Sequence, residues 1–340
     1  MRCRRQLATA RISYNSCMTS AQKRWLLRGI KLLITLAILA GVGWQINNDL
    51  QKLDFTNLEL RPGWMLASAL VYLVALTPCA WFWRHLHQQF GYPLSASAAV
   101  RAHYIGQLGK YVPGKALAVL IRSALVHPYG VPKGVSIIAT FYEVLTGMAA
   151  GAMVAALIYM VEPPGDLEVG VHPFWIGLAL IGVCGIPLLP GVFNFLVAKL
   201  TARIQAVQLY RLPPIRFATL SIGLLTNAVG WWAQGLSWWM MLQAVMPTPP
   251  ELSVSIWAQC TASIAFANVA GFVSGIPGGL GVREVLLGRL LKSLGEVEYI
   301  AWAAILLRLD WIAAEALFAL CTFWVKPAGE QREPAGSNTV

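Results

Sequence analysis

Long runs of apolar residues, without the alternation of a half-buried strand, fill most of the chain. Each run is about 20 residues or longer, apart from a shorter first one, and an α-helix needs about 20 residues to cross roughly 30 Å of hydrocarbon. The pattern therefore predicts an all-α polytopic membrane protein with about seven transmembrane helices. The predicted spans are residues 30–46, 63–83, 134–160, 174–196, 217–246, 253–274 and 300–325.

Two further segments are too apolar for free loops and too broken for straight helices. Glycine and proline interrupt both residues 94–128 and residues 275–293. Inside a bilayer, non-helical backbone is tolerated only where it is buried in protein or lines a wet cavity. Paired interruptions in corresponding positions of two halves are typical of transporter binding sites. We therefore predict two broken re-entrant segments.

The charge of the loops alternates along the chain. Residues 84–133 carry six basic and no acidic residues, and residues 197–216 carry four basic and none acidic. Residues 161–173, between them, carry three acidic and no basic residues. Basic loops of multi-pass proteins face the cytoplasm. The pattern predicts a multi-pass protein of the cell inner (cytoplasmic) membrane with a cytoplasmic N-terminus.

Composition narrows the classes of function. The 340 residues are 57% hydrophobic and 12% charged, about half the charge of a soluble domain, and this excludes a soluble enzyme. The net charge of +11 lies in loops beside apolar spans, which favours contact with anionic lipid over binding to nucleic acid. The six cysteines form no CxxC pair, so neither a zinc site nor a disulfide framework is expected.

The domain organisation is simple. Residues 25–325 are predicted to form a single transmembrane domain. Residues 1–24 are expected to be a basic cytoplasmic tail without fixed structure, and translation could start at Met18 instead of Met1. Residues 326–340 are expected to form a polar C-terminal tail.

Both broken segments contain a short motif around a Pro-Gly pair. The first motif is GQLGKYVPGK at residues 106–115, followed by Arg122, and the second is SGIPGGLGVRE at residues 274–284. Pro113 and Pro277 are 164 residues apart, close to half of the chain. This spacing predicts a weak two-fold internal repeat with one motif in each half.

The two motifs combine helix breaks with positive charge. Pro-Gly ends one helical segment, and the first turn of the next has unpaired N–H groups and a partial positive charge. Two such ends facing each other would bind an anion, and a lipid phosphate pairs well with arginine and lysine. Close helix packing, with basic side chains reaching the membrane surface, is the alternative. The candidate substrate-binding residues are Lys110, Pro113, Gly114, Lys115, Arg122, Pro277, Gly278, Gly279, Gly281, Arg283 and Glu284.

Four ionisable residues fall inside predicted spans, namely Glu143, Arg308, Asp310 and Glu315. A charge at the bilayer centre costs at least about 2.5–3.5 kcal/mol, so such residues usually pair or line a pathway. Arg308 and Glu315 are seven residues apart and share one helix face, whereas Asp310 points elsewhere. We expect Arg308 to pair with Glu143 or Glu284, and a purely structural salt bridge is the alternative.

No recognisable catalytic motif occurs in the sequence. It has no nucleophile elbow, zinc-protease motif, phosphate-binding loop or dinucleotide-binding motif. We therefore expect that the chain is not an enzyme and that it needs no cofactor and no metal.

The stretches GQLGKYVPGK, with Arg122 after it, and IPGGLGVRE resemble the motifs of the lysylphosphatidylglycerol synthase transmembrane-region family, also called the flippase-like domain family. The resemblance covers roughly residues 25–325. In the bifunctional members, the membrane region is credited with flipping an aminoacylated phospholipid made by a fused cytoplasmic transferase. In other members it follows a glycosyltransferase domain. No transferase domain follows residue 325, so we do not expect the chain to make lysylphosphatidylglycerol.

The residues and the resemblance together predict lipid transport. The expected activity is translocation or lateral handling of an anionic phospholipid or a polyprenyl-linked lipid, through a pocket at the two Pro-Gly motifs. A membrane subunit of a lipid-modifying enzyme and a lipid-binding scaffold are the alternatives. The resemblance also implies a separate lipid-modifying enzyme or glycosyltransferase as a partner.

Overall fold

The protein is helical throughout the part that the structure describes. The computed structural model describes residues 59–111, 116–164, 173–203, 212–274 and 281–324, and these contain no strand. The prediction of an all-α protein is confirmed. The α-helices are α1 (Pro62–Ala75), α2 (Thr77–Gln89), α3 (Ala96–Gln107), α4 (Ala116–Val126), α5 (Lys133–Val161), α6 (Pro173–Gly185), α7 (Pro190–Arg203), α8 (Phe217–Val245), α9 (Val254–Val273), α10 (Val282–Leu290) and α11 (Val297–Phe323).

Three helical stretches of the described residues are long and apolar enough to cross a membrane. They are Pro62–Gln89, which joins α1 and α2, Lys133–Val161 and Val254–Val273. The pair Leu178–Leu188 and Pro190–Lys199, bent by 55°, is a fourth if it counts as one broken span. These helices support a multi-pass membrane protein, whereas the count of seven spans stays a prediction.

Of the remaining predicted spans, two correspond to long helices that are less apolar than these, and one lies outside the described residues. Residues 217–246 and 300–325 coincide with α8 and α11, which are 29 and 27 residues long. Both exceed the length that a membrane requires, but neither is as apolar as the three stretches named above. The predicted first span, 30–46, and both predicted tails lie outside the described residues.

Local sequence explains where several helices begin. The Ser95 hydroxyl accepts a hydrogen bond from the Ala98 N–H and caps α3, and Ser253 caps α9 through the Ile256 N–H in the same way. Proline occupies the first turn of both α1 and α2, where its missing N–H leaves no intrahelical bond unmade. Pro78, in the first turn of α2, accounts for the interruption between α1 and α2 at Leu76.

Helix α8 is the central element, because α1, α2, α5, α9 and α11 all pack against it. Small residues allow these close approaches. A Cβ at Gly235 would lie 2.6 Å from the Thr261 Cα of α9, and a Cβ at Gly223 would overlap the Phe82 ring of α2. Glycine at such contacts lets helices of a membrane protein approach closely.

The first broken segment forms a helical hairpin in which α3 packs against α4. The two helices have 12 and 11 residues, so neither reaches across 30 Å at 1.5 Å per residue. The second broken segment contains α10, a helix of nine residues. The described parts of both segments are short helices, while the breaks at the Pro-Gly pairs, the re-entrant course and the two-fold repeat stay predictions.

Candidate functional site

One face of α11 carries Arg308, Trp311 and Glu315, which are spaced three and four residues apart. Residues at this spacing lie one above the other on a helix. We call this face the α11 stripe. Each of its three side chains contacts a residue of one of the two Pro-Gly motifs, so α11 joins the motifs to each other.

Glu315 connects the α11 stripe to the first motif. Its side chain is fully buried, and its carboxylate accepts hydrogen bonds from Lys110 Nζ at 2.5 Å and from Tyr111 Oη at 3.0 Å. Tyr72 of α1 donates a third hydrogen bond to the same carboxylate. A buried carboxylate needs such donors, and here the salt bridge and two hydroxyls supply them. The Lys110 side chain remains 37% exposed, so the lysine reaches the site from its edge.

Glu284 connects the α11 stripe to the second motif. One carboxylate oxygen accepts a hydrogen bond from the Gly281 N–H at 2.8 Å, and the other lies 3.3 Å from Arg308 Nη1. Glu284 therefore caps its own helix, α10, and pairs with α11 at the same time. Gly281 has a φ of +80°, a conformation that glycine adopts without strain. The predicted partner Glu284 for Arg308 is confirmed, and the other candidate, Glu143, is paired elsewhere.

Arg283 is the basic residue of this region for which no described carboxylate lies within salt-bridge distance. Its guanidinium lies 5.6 Å from the centroid of the Trp311 ring, and that ring stacks on Tyr72 at 4.2 Å. With the described residues, the half-buried Arg283 side chain makes no hydrogen bond and no salt bridge. The structure thus provides a guanidinium that lies over an aromatic ring and whose N–H donors are not used by any described residue.

The two motifs therefore converge. The positive charges of Arg283, Arg308 and Lys110 lie close enough to repel one another. Three cations meet two carboxylates, which leaves one positive charge in excess. We call this group the motif junction. It consists of Tyr72, Lys110, Tyr111, Arg283, Glu284, Arg308, Trp311 and Glu315.

The structure places Arg122 away from this group, inside the α3–α4 hairpin. Arg122 Nη1 lies 2.7 Å from Glu143 Oε2 of α5, and the arginine is only 3% exposed. Gly106 makes room for it, since a Cβ there would overlap Arg122 Cγ. The His103 Nε2 atom lies 3.5 Å from the second oxygen of Glu143. Arg122 therefore neutralises a buried acid, although the sequence suggested that it helps to hold a ligand.

Of the other predicted residues, the structure describes two, Asp310 and Gly281. Asp310 lies off the α11 stripe, as expected, beside Ser68 of α1. Gly281 belongs to the turn before α10 and presents its N–H to Glu284. The rest lie outside the described residues, namely Pro113, Gly114, Lys115, Pro277, Gly278 and Gly279.

Sequence reasoning overlooked four side chains, namely Tyr72, His103, Tyr111 and Trp311. A helical projection would have identified Trp311, because it lies between Arg308 and Glu315 on the same face. Tyr111 lies inside the first motif, beside Lys110. No sequence signal marks Tyr72, since its partner Glu315 is 243 residues away.

Comparison of the sequence with models of known families finds a match to a transmembrane region. The model described as "Lysylphosphatidylglycerol synthase TM region" matches residues 30–309. No curated protein matches the chain significantly. The matched range includes both Pro-Gly motifs and extends into α11 as far as Arg308 and its neighbour.

Proposed function

The chain belongs to the lysylphosphatidylglycerol synthase TM region family, and from that premise we propose that it binds an anionic lipid, or a lipid-linked substrate, at the motif junction and translocates it. Arg283 supports this proposal most strongly. A half-buried guanidinium that is not paired with a described carboxylate, in a group with excess positive charge, destabilises the folded protein. Binding of an anion removes that penalty. A lipid phosphodiester has the negative charge and the two free oxygens that arginine binds bidentately.

The surrounding pairs favour a ligand at Arg283 over a protein partner. Glu284 is engaged by Arg308 and by the N-terminus of α10, and Glu315 is engaged by Lys110 and two tyrosines. Neither acid has to be displaced when a phosphate approaches Arg283. Lys110, which is partly exposed, supplies a second positive charge near the same place.

Translocation requires that the site be reached from both sides of the membrane in turn. Short broken helices are the elements that transporters use for such sites, because their backbone can move without unpairing a whole span. We propose that the α3–α4 hairpin and the nine-residue helix α10 are these elements. A separate lipid-modifying enzyme or glycosyltransferase would supply the lipid, and the chain itself would move the lipid without changing it covalently.

The loop charges support an orientation in the inner membrane with the N-terminus in the cytoplasm. Labelling of single cysteines in intact cells with a membrane-impermeant reagent checks it. We expect reaction when Asp166 is replaced by cysteine and none when Gln205 is replaced. Reaction at position 205 without reaction at 166 would reverse the orientation.

The Arg283→Ala variant tests the binding site. Loss of a charge-assisted hydrogen bond should weaken binding of phosphatidylglycerol by about 1.5–3 kcal/mol, or roughly 10- to 150-fold in Kd. Arg283→Lys should restore only part of the affinity, because lysine keeps the charge but lacks the bidentate fork. Thermal unfolding of the Arg283→Ala variant should remain close to that of the unmodified protein. Titration of short-chain phosphatidylglycerol into the purified variants measures the affinities.

Arg289→Ala is the matched control for this experiment. Arg289 lies on the same helix, α10, and is exposed, so its removal changes the net charge by the same amount. Its lipid affinity should stay within about twofold of the unmodified protein, because exposed charges contribute little. Equal affinities of the Arg283→Ala and Arg289→Ala proteins would rule out the proposed site.

A further inference from the structure

An apolar groove of about 320 Å³ lies between α6, α9 and α10. The only polar side chain at its edge belongs to Ser274, and that hydroxyl donates a hydrogen bond to the Gly271 carbonyl at 2.9 Å. No described side chain occupies the groove. The residues that line it are Ile176, Leu180, Phe266, Ala270, Val273, Ser274 and Leu286.

The groove adjoins the motif junction through α10. Leu286 follows Arg283 by three residues, which places it about 4.5 Å further along the helix and about 60° around it. Its side chain packs against the hydrophobic cluster that contains Trp311 and also against the cluster that contains Phe266. One wall of the groove therefore lies within a helical turn of the Arg283 guanidinium.

We infer that this groove binds one hydrocarbon chain of the lipid whose phosphate binds at Arg283. This inference rests on the proposed function and extends it from the head group to the rest of the substrate. The first acyl chain of a glycerophospholipid begins a few bonds from the phosphate, a spacing comparable with the rise of one helical turn. The substrate is then a complete lipid and not a water-soluble phosphate.

The size of the groove suits part of a chain. An apolar cavity of about 150 Å³ binds one benzene molecule, which has six carbons, and stays free of water. A groove of about 320 Å³ has room for roughly twice as many carbons, or about 12. Its lining offers water no hydrogen bonds in exchange for those of the bulk liquid, so hydrocarbon is the favoured occupant.

The head group decides which lipid occupies the groove. A chain that moves from the bilayer into the groove exchanges one apolar environment for another, so the transfer itself gains little free energy. The contact between phosphate and Arg283 must then supply the preference. A substrate chain is thereby distinguishable from that of a surrounding lipid, because its occupancy depends on the charge of the head group and on Arg283.

Photo-crosslinking in phosphatidylcholine nanodiscs tests this dependence. The probes are phosphatidylglycerol and phosphatidylcholine with the same diazirine midway along one acyl chain, each at a low mole fraction. Mass spectrometry of the digested protein should locate phosphatidylglycerol adducts on the groove residues of α6, α9 and α10. In Arg283→Ala these adducts should fall roughly tenfold or more, in proportion to the loss of a charge-assisted hydrogen bond. Arg289→Ala should keep them, and the phosphatidylcholine probe should give few with any variant.

Ala270→Trp tests the groove itself, because the indole would fill it without replacing any residue of the motif junction. This variant should lose the phosphatidylglycerol adducts in the groove. It should still bind glycerophosphoglycerol, the same head group without chains, as the unmodified protein does. Leu225→Trp is the matched control, since Leu225 is exposed on α8 away from the groove, and it should keep the adducts.

Two results would overturn the inference. The first is equal labelling of the groove by both probes that is unchanged in Arg283→Ala, which would mean that any surrounding lipid fills it. The second is the absence of groove adducts while phosphatidylglycerol still binds in an Arg283-dependent way, which would mean that the chain of the substrate lies elsewhere. If Ala270→Trp does not fold, the two probes in the unmodified protein and in Arg283→Ala decide the matter. Absence of any Arg283-dependent binding of phosphatidylglycerol would contradict the proposed function instead, so the two failures are distinguishable.

Discussion

Replacing Arg122 by alanine is expected to reduce the free energy of unfolding by about 3–5 kcal/mol, because it leaves Glu143 as an unpaired charge in the interior. The Glu143 side chain is 7% exposed, so water does not replace the lost guanidinium. The variant also loses contact with the Trp83 ring, which lies 5.8 Å from the Arg122 guanidinium carbon. Chemical unfolding of the purified protein in detergent measures the change.

The double variant Arg122→Ala with Glu143→Gln shows whether the pair is the cause. Removing both charges should cost clearly less than the sum of the two single changes, because the double variant leaves no buried charge without a partner. If Arg122 instead holds a ligand, as the sequence suggested, Arg122→Ala should unfold like the unmodified protein and lose lipid affinity. That outcome would contradict the assignment of Arg122 to Glu143.

Replacing Glu315 by alanine is expected to destabilise the protein by about 2–3 kcal/mol. The buried Tyr72 hydroxyl loses its acceptor, and an unsatisfied buried polar group costs about 1–3 kcal/mol. The Lys110 ammonium loses its salt bridge as well, but its side chain is partly exposed and turns toward solvent, which limits the additional cost. Glu315→Gln should cost less than Glu315→Ala, because the amide oxygen still accepts from the tyrosines.

Glu298→Ala provides the comparison on the same helix. Glu298 is exposed in the first turn of α11, and its removal should change the free energy of unfolding by less than about 0.5 kcal/mol. An equally small effect of Glu315→Ala would show that the carboxylate does not organise the junction.

The sequence was sufficient for the membrane class and for most helix positions, because both depend on local composition. Apolar runs of span length coincide with α5, α8, α9 and α11 within a few residues. Serine and proline at helix starts are local signals of the same kind.

The partners of the charged residues were only partly predictable. The α11 stripe follows from helical periodicity, and it correctly suggested that Arg308 and Glu315 share a face. Whether Arg308 would meet Glu143 or Glu284 depends on how helices pack, and one sequence carries no such information. For this reason the sequence analysis listed Arg122 as a ligand-binding residue and missed its pair with Glu143. Neighbouring charges in a motif need not meet in space.

The central claim is that an anionic lipid headgroup binds at Arg283, where the two Pro-Gly motifs meet. The most direct measurement is an experimental structure of the protein in nanodiscs that contain phosphatidylglycerol. We predict density for a phosphate within hydrogen-bonding distance of the Arg283 guanidinium, on the side facing Lys110 and Trp311. A structure in which Arg283 is paired with a protein carboxylate, with no lipid density beside it, would contradict the claim.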